Sequence, residues 1–332
     1  MTGTGTNMKA CVLHAINDLR YEDVPDPVRK HGEALIRIKA AGICGSDIPR
    51  VYEKGTYHFP TIPGHEFSGE TIEADDAGII GTKCAVFPII PCRECESCLT
   101  GRYAQCFNYN YFGSRCDGGF AELISVPLWN IVPAPDGLDF EIIAMTEPCA
   151  VALHSLEQAS FQSGASLCVF GAGPIGVMLG KWAVLKGASR VSLIDVDERK
   201  IDFARKLGFD TEITGKYDVV IEGSGTSAGY ENAVTSAAPF GVVVLMGNPA
   251  RDMTLSQHAY SKIMRDELTL KGTWNTSYNS EKNDWKITME NLAKLDISCL
   301  ISHRFDFSRC NDAFSVLRER REFVSKVMFL ND

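Results

Sequence analysis

The sequence predicts a two-part α/β chain, in which a β-barrel-like unit is joined to a parallel sheet covered by helices on both faces. Before about residue 150 the chain offers short strand-like runs between Gly/Pro turns, among them EALIRIKAAGI, GGFAELISVP and NIVPAP, the pattern of an all-β unit. After it strand and helix alternate: SLCVF, a helix through GVMLGKWAVLKGA, RVSLID, a helix ERKIDFARKLG, KYDVVIEGS, then FGVVVLMG and LTLKGTW. Apolar runs spaced by helices indicate a parallel sheet buried on both sides. The tail from Asn275 carries a helix (DWKITMENLAKL), a strand (ISHRFDF), a helix (SRCNDAFSVLRERR) and a last strand (SKVMFLN), and is expected to rejoin the first unit. The expected domains are therefore 1–150 with 275–332, and 151–274.

Composition bounds the function. The 332 residues are 45% hydrophobic and 23% charged, enough for two domains. A net charge of -9 argues against nucleic acid or an anionic membrane surface as partner. Twelve cysteines fit a reducing cytoplasm better than a disulfide framework. The start, MTGTGTNMKACVLHA, lacks the charged and apolar regions of a secretion signal, and no run of eighteen apolar residues occurs, so a cytoplasmic chain without a membrane span is expected. The first seven residues read as a Thr/Gly-rich extension before the strand KACVLHA.

Cys92, Cys95, Cys98 and Cys106 stand in a single run with C-x2-C-x2-C-x7-C spacing. Four thiolates this close suit a closed tetrahedral zinc site, which pins a loop and does no chemistry. An iron–sulfur cluster is disfavoured, because the fourth cysteine follows after seven residues and has no proline behind it. Gly171, Gly173, Pro174, Ile175 and Gly176 form a G-x-G-x-x-G loop directly after SLCVF and at the start of a helix. Glycines there permit the tight turn and close backbone approach that seat a pyrophosphate on a helix N-terminus. Asp195, at the end of the next strand, is placed to bind the ribose hydroxyls and to repel a 2′-phosphate, which favours NAD over NADP. Arg199 and Lys200, a helical turn further on, could moderate that preference.

A third constellation is Cys44-Gly-Ser46-Asp47, then His65-Glu66, and much later Glu147 in T-E-P. Read together, these residues make one open metal site. Cys44 and His65 are the expected fixed ligands, with Glu66 and Glu147 competing with water for the remaining positions. Asp47 is expected behind His65, accepting a hydrogen bond from its other ring nitrogen.

With these motifs on one chain, the sequence resembles the medium-chain, zinc-dependent alcohol/polyol dehydrogenases from KACVLH to the final strand. The stretches CGSDIPR, HFP, GHEFSG, GSRCDGGFAE and KGTW look most like the galactitol-1-phosphate branch, with sorbitol and threonine dehydrogenases as cousins. The resemblance implies a GroES-like catalytic domain beside a Rossmann domain, two zinc ions per chain and NAD. It implies oxidation of a secondary alcohol of a polyol or polyol phosphate to the ketose, with Glu147 at the position that is cysteine in the classical alcohol dehydrogenases. In that chemistry zinc acts as Lewis acid on the hydroxyl, Ser46 accepts the alcohol proton, and the cleft between domains aligns the hydride with nicotinamide. Galactitol 1-phosphate leads, with a free hexitol, a pentitol or L-threonine as alternatives, and Arg50, Lys54 or Arg115 could meet a phosphate. Tyr52, Tyr57, Phe59 and Phe112 could line the pocket.

Three stretches depart from the family pattern. Pro49 stands where many relatives place the histidine that ends the proton relay. Only Gly215-Lys216 separates TEIT from YDVVIEGS, so a reduced third strand is expected. The segment between Gly69 and Cys92 is short. A different class of reading, a nucleotide-binding redox sensor without catalysis, is opposed by the intact Cys44/His65/Glu66/Glu147 set. The segment FGVVVLMG and the chain before Trp274 resemble the edge through which the family's nucleotide domains pair, and a homodimer or homotetramer is expected. Metal analysis of the purified protein should return about two zinc ions per chain; one equivalent, or iron, would contradict the reading. Cys95→Ser should impair solubility or assembly.

Overall fold

The computed structural model describes residues 7–331. Of the expected N-terminal extension only Asn7 falls among them, and it opens the first strand, Asn7–Ala15. The described chain separates into two compact units, one built from residues up to Glu147 together with those from Ser277, the other from Pro148–Thr276. The division falls within three residues of the boundaries read from the sequence.

The first unit holds a seven-stranded sheet. In order across it run Ile301–Asp306, Lys326–Leu330, Glu33–Gly42, Glu66–Ala74, Lys83–Val86 and Ile131–Pro133, and Leu123–Pro127 also pairs with Glu33–Gly42. Glu33–Gly42 alternates as a half-buried strand should: Ala34, Ile36, Ile38 and Ala40 are fully buried and Arg37 is exposed. Asn7–Ala15 and Asp18–Pro25 form a separate ribbon, tied to the rest by Cys11 N–H to Phe120 O and Leu13 N–H to Thr61 O, each 2.8 Å. The tail completes the core of this unit. Phe314, on the helix Cys310–Glu319, and Phe329, on the last strand, meet the Phe120 ring edge-on at 6.1 and 5.0 Å.

One joint fixes the region around His65. The chain at 118–120 lies on the chain at 62–64 through three backbone hydrogen bonds: Gly118 N–H to Ile62 O at 2.7 Å, Gly119 N–H to Gly64 O at 2.9 Å and Phe120 N–H to Pro63 O at 3.0 Å. The approach is so close that a Cβ on Gly118 would sit 2.0 Å from the Gly64 carbonyl oxygen.

The second unit is a five-stranded parallel sheet in the order Arg190–Ile194, Ser166–Phe170, Tyr217–Glu222, Ala237–Leu245, Thr269–Gly272. The chain leaves Ser166–Phe170 for one side and returns to its other side, so the strand order reverses there. Ligands bind at such a switch point in open α/β sheets. The expected third strand is reduced to a bridge between Ser192 and Asp210. The segment FGVVVLMG, expected near an exposed edge, is instead interior, because Ala237–Leu245 is paired on both sides. The edge is Thr269–Gly272. Helices at Ser227–Ser236 and Gln257–Arg265 join those the sequence predicts. Gly118→Ala should cost at least about 1–3 kcal/mol of stability, since backbone rather than a pliable side chain blocks the methyl; thermal unfolding of the variant beside the parent measures it.

Candidate metal centres and nucleotide loop

The four-cysteine run forms a lobe closed at its base by a two-residue ribbon, Ile89 opposite Tyr111 and Ile90 opposite Asn110. Cys106 Sγ lies 3.4 Å from Cys92 Sγ and 3.8 Å from Cys95 Sγ, and Cys92 and Cys98 are 3.9 Å apart. A tetrahedron of zinc–sulfur bonds near 2.3 Å has edges of about 3.8 Å, so the spacing fits that ion. Backbone N–H groups of Phe107 and Cys98 bring the Cys95 thiol down to about 6, toward the thiolate that binds metal.

The second cluster is assembled from chain ends. Cys44 follows the strand Glu33–Gly42, His65 precedes Glu66–Ala74, and Gly42 pairs with Glu66 in the ladder between those strands. Ligand atoms of Cys44, His65 and Glu66 lie within 4.8 Å of one another. Glu147 stands in the first turn of the helix Thr146–Gln158, outside that tight set but within its field. Burial pushes its carboxyl up to about 7, the His65 charge opposing and Glu66 adding to the rise.

Asp47 lies behind His65, as the sequence suggested, but less tightly. Its Oδ1 is 3.5 Å from His65 Nδ1, and that nitrogen has no hydrogen-bond partner. The same Oδ1 takes a 2.8 Å bond from Arg50 Nη1, while Oδ2 accepts from Cys44 N–H at 3.0 Å. Burial raises the Asp47 carboxyl, yet His65, Arg50 and the Cys44 amide together hold it down at about 2. For His65, Asp47 and Cys44 outweigh burial and lift the imidazole well above its ordinary value. Ser46 is exposed, and its Oγ accepts from Arg50 Nη1 at 3.1 Å.

Two residues at this centre carry no sequence motif. Lys326 is buried with its Nζ 2.6 Å from Glu66 Oε2 and 3.3 Å from Ile43 O; its only trace is a lysine inside the apolar run VSKVMFL. Tyr111 sets its ring against His65 at 5.4 Å between centroids, tilted by 57°, and burial, aided by Glu147 and Cys44, drives its phenol well above the ordinary range. Arg50 is committed to Asp47, Lys54 is exposed, and Arg115 lies over the rings of Tyr57 and Tyr109. Of the aromatic residues, Phe112 is core, Tyr52 meets Phe314, and Tyr57 and Phe59 are exposed.

In the parallel unit, Gly173 caps the helix Pro174–Leu185, and nothing lies within 4 Å of where its Cβ would be. That opening leaves room for a ligand against the helix N-terminus. Gly176 serves packing, since a Cβ there would fall 1.9 Å from Gly171 O. A cavity of about 500 Å³ borders this loop, Ile175, Asp195 and Lys200. Asp195 is held by Ala172 N–H at 2.9 Å and Lys200 Nζ at 3.1 Å on Oδ2, and by Val196 and Asp197 N–H at 2.8 and 3.0 Å on Oδ1. Burial resists ionisation, but these donors keep its carboxyl below the usual range. The guanidinium of Arg199 is bound in a fork by Asp197, at 2.9 and 2.7 Å. Glu222 is a further functional candidate without a motif. Its buried carboxylate accepts from Ser224 N–H and Gly225 N–H at 2.8 and 3.0 Å, shaping the loop beside the cavity.

Residues 30–136 match the alcohol dehydrogenase GroES-like domain and residues 174–294 the zinc-binding dehydrogenase domain. Galactitol 1-phosphate 5-dehydrogenase of Escherichia coli (strain K12) is 33% identical over 324 residues, covering 90% of this chain and 93% of the relative. The crystal structure of galactitol-1-phosphate dehydrogenase from Escherichia coli superposes with a TM-score of 0.91 at 31% identity, over 98% of this chain and 100% of that one. A second structure, an alcohol dehydrogenase from E. coli CFT073 complexed with NADH, gives a TM-score of 0.89 at 26% identity, over 98% and 100%. Among the described residues no helix is long and apolar enough to cross a membrane.

The Lys326–Glu66 pair offers a direct test. Lys326→Met strands a buried carboxylate and should cost roughly 3–5 kcal/mol in chemical denaturation, whereas adding Glu66→Gln should recover a large part of the loss.

Proposed function

Since the chain belongs to the medium-chain, zinc-dependent alcohol/polyol dehydrogenase family, we propose that it oxidises a secondary alcohol of a polyol or polyol phosphate, with galactitol 1-phosphate the first candidate and NAD the acceptor. The observation that carries this reading is the buried convergence of Cys44, His65 and Glu66, with Glu147 beside them.

Cys44 and His65 hold the catalytic metal, and Glu66 and Glu147 are the carboxylates available next to it. A zinc ion held there would supply Lewis acidity toward a substrate hydroxyl. Asp47 orients the His65 ring, and Arg50 keeps Asp47 charged and in place. Lys326 sets a cation against the buried Glu66 carboxylate. Ser46 Oγ takes the alcohol proton. Because Ser46 is exposed, the hydroxyl can release its own proton directly to water, so the path does not need a histidine at Pro49. Cys92, Cys95, Cys98 and Cys106 hold the structural zinc.

On the cofactor side, Gly171, Gly173, Pro174, Ile175 and Gly176 receive the pyrophosphate, and NAD supplies the hydride acceptor. Asp195 is already ionised and fixed by four donors, so it meets ribose hydroxyls as a rigid acceptor and repels a 2′-phosphate. Arg199, tied to Asp197, offers that phosphate no free fork. The edge strand Thr269–Gly272 is the surface through which we expect a second copy to pair, giving a homodimer or homotetramer. The twelve cysteines of the sequence suit a reducing, cytoplasmic setting.

The test is NADH formation across a panel of polyols, polyol phosphates and L-threonine. Turnover should appear with galactitol 1-phosphate or a related polyol and vanish in Cys44→Ser with the fold retained. Asp195→Ala should erode the preference for NAD over NADP by about tenfold or more; wild-type efficiency with NADP equal to that with NAD would remove the basis for the cofactor assignment.

A further inference from the structure

We propose that Arg115 anchors a terminal anionic group, phosphate or carboxylate, on the polyol substrate, an inference that rests on the polyol dehydrogenase reading above. Of the three cations the sequence offers for this task, two are unsuited by their surroundings. Arg50 is spent on the buried Asp47 carboxylate, at 2.8 Å. Lys54 is exposed at the end of the turn Arg50–Lys54, where four rotatable bonds leave its ammonium unplaced and well hydrated.

Arg115 is built differently. Its guanidinium carbon lies 4.0 Å from the ring centre of Tyr57 and 4.5 Å from that of Tyr109, and Nη2 donates to the Tyr57 hydroxyl at 3.2 Å. Among the described residues no carboxylate comes within ion-pair distance of it, so its charge is not already matched as that of Arg50 is. Contact over ring faces engages the flat surface of a guanidinium and leaves its in-plane N–H donors, apart from the one given to Tyr57, for a bidentate oxyanion. Clamping also removes rotamers before a ligand arrives, so less is lost on binding.

The position is tied to the metal cluster by a continuous row of rings. Tyr109 meets Tyr111 edge-on at 6.4 Å, and Tyr111 meets the His65 ring at 5.4 Å. Tyr57 N–H bonds Ser114 O at 3.3 Å, and the chain beyond it is fastened to residues 62–64 by the joint at Gly118. Arg115 and His65 thus stand at two ends of one braced row, an arrangement suited to a substrate with a reacting hydroxyl at one end and a charge at the other. The Tyr111 hydroxyl makes no hydrogen bond to a described residue, and so remains a donor for a substrate hydroxyl between the two ends.

The experiment compares kcat/KM of the holoenzyme for galactitol 1-phosphate, galactonate and galactitol in the wild type, Arg115→Met and Arg115→Lys. Thermal unfolding and zinc content are measured alongside. The wild type should favour one of the two anions over galactitol by about 100-fold, and which anion it favours distinguishes phosphate from carboxylate. Arg115→Met should lose about that factor on the anion while its kcat/KM for galactitol stays within about threefold. Arg115→Lys, which keeps the charge but not the fork, should fall between and guards against misfolding of the methionine variant. An equal loss on all three substrates in both variants, or galactitol used as well as the anions by the wild type, overturns the inference and leaves the polyol dehydrogenase standing. Absence of turnover on every polyol removes the broader reading, and this one with it.

Discussion

Everything at the candidate centre depends on how charge is balanced in a space from which water is largely excluded. Asp47, Glu66 and Glu147 are all buried, and against them stand Arg50 and Lys326. The His65 imidazole, lifted well above its ordinary value, adds a third positive charge. A buried charge is costly unless it is paired, and Asp47 with Arg50 and Glu66 with Lys326 are pairs that meet this condition. Burial, with Glu66 adding to it and His65 opposing, pushes the Glu147 carboxyl up to about 7.

The two cysteine-bearing regions have separate jobs but share a connection. The four-thiol lobe closes on a ribbon whose last residue, Tyr111, is the one that packs on His65. A loop that does no chemistry therefore sets the wall of the site that does. The lobe behaves as a brace for the row of rings from His65 through Tyr111 and Tyr109 to Arg115, and the Gly118 joint holds the other flank of that row.

The parts legible in the sequence are those with short, local signatures. The cysteine spacing, the glycine loop after SLCVF and the alternation of strand and helix after residue 150 each arise within a few turns of chain. The reduced third strand was foreshadowed by the two-residue gap at Gly215-Lys216, and it survives only as the Ser192–Asp210 bridge. Less legible were features created by long-range pairing. Lys326 becomes a partner of Glu66 only because the last strand lies beside Glu33–Gly42, a pairing no local pattern announces. The helix Ser227–Ser236 is built from small and polar residues with weak periodicity, its start marked by Thr226 accepting from Gly229 N–H. The position of FGVVVLMG in the sheet could not be read from its composition either, because an apolar strand looks the same in the interior as at an edge.

The placement of Lys326 has a consequence for the order in which a newly made chain can become complete. The four lobe thiols come together by closing loops of a few residues, at small entropic cost, as soon as that stretch is available. The other cluster draws on Cys44, His65 and Glu147 and is balanced by a lysine in the final strand, Lys326–Leu330. Its Glu66 carboxylate lacks that partner until Lys326–Leu330 has been synthesised and has paired. A molecule truncated or frayed at its last seven residues would keep its lobe and its nucleotide loop intact, yet carry an open centre out of balance.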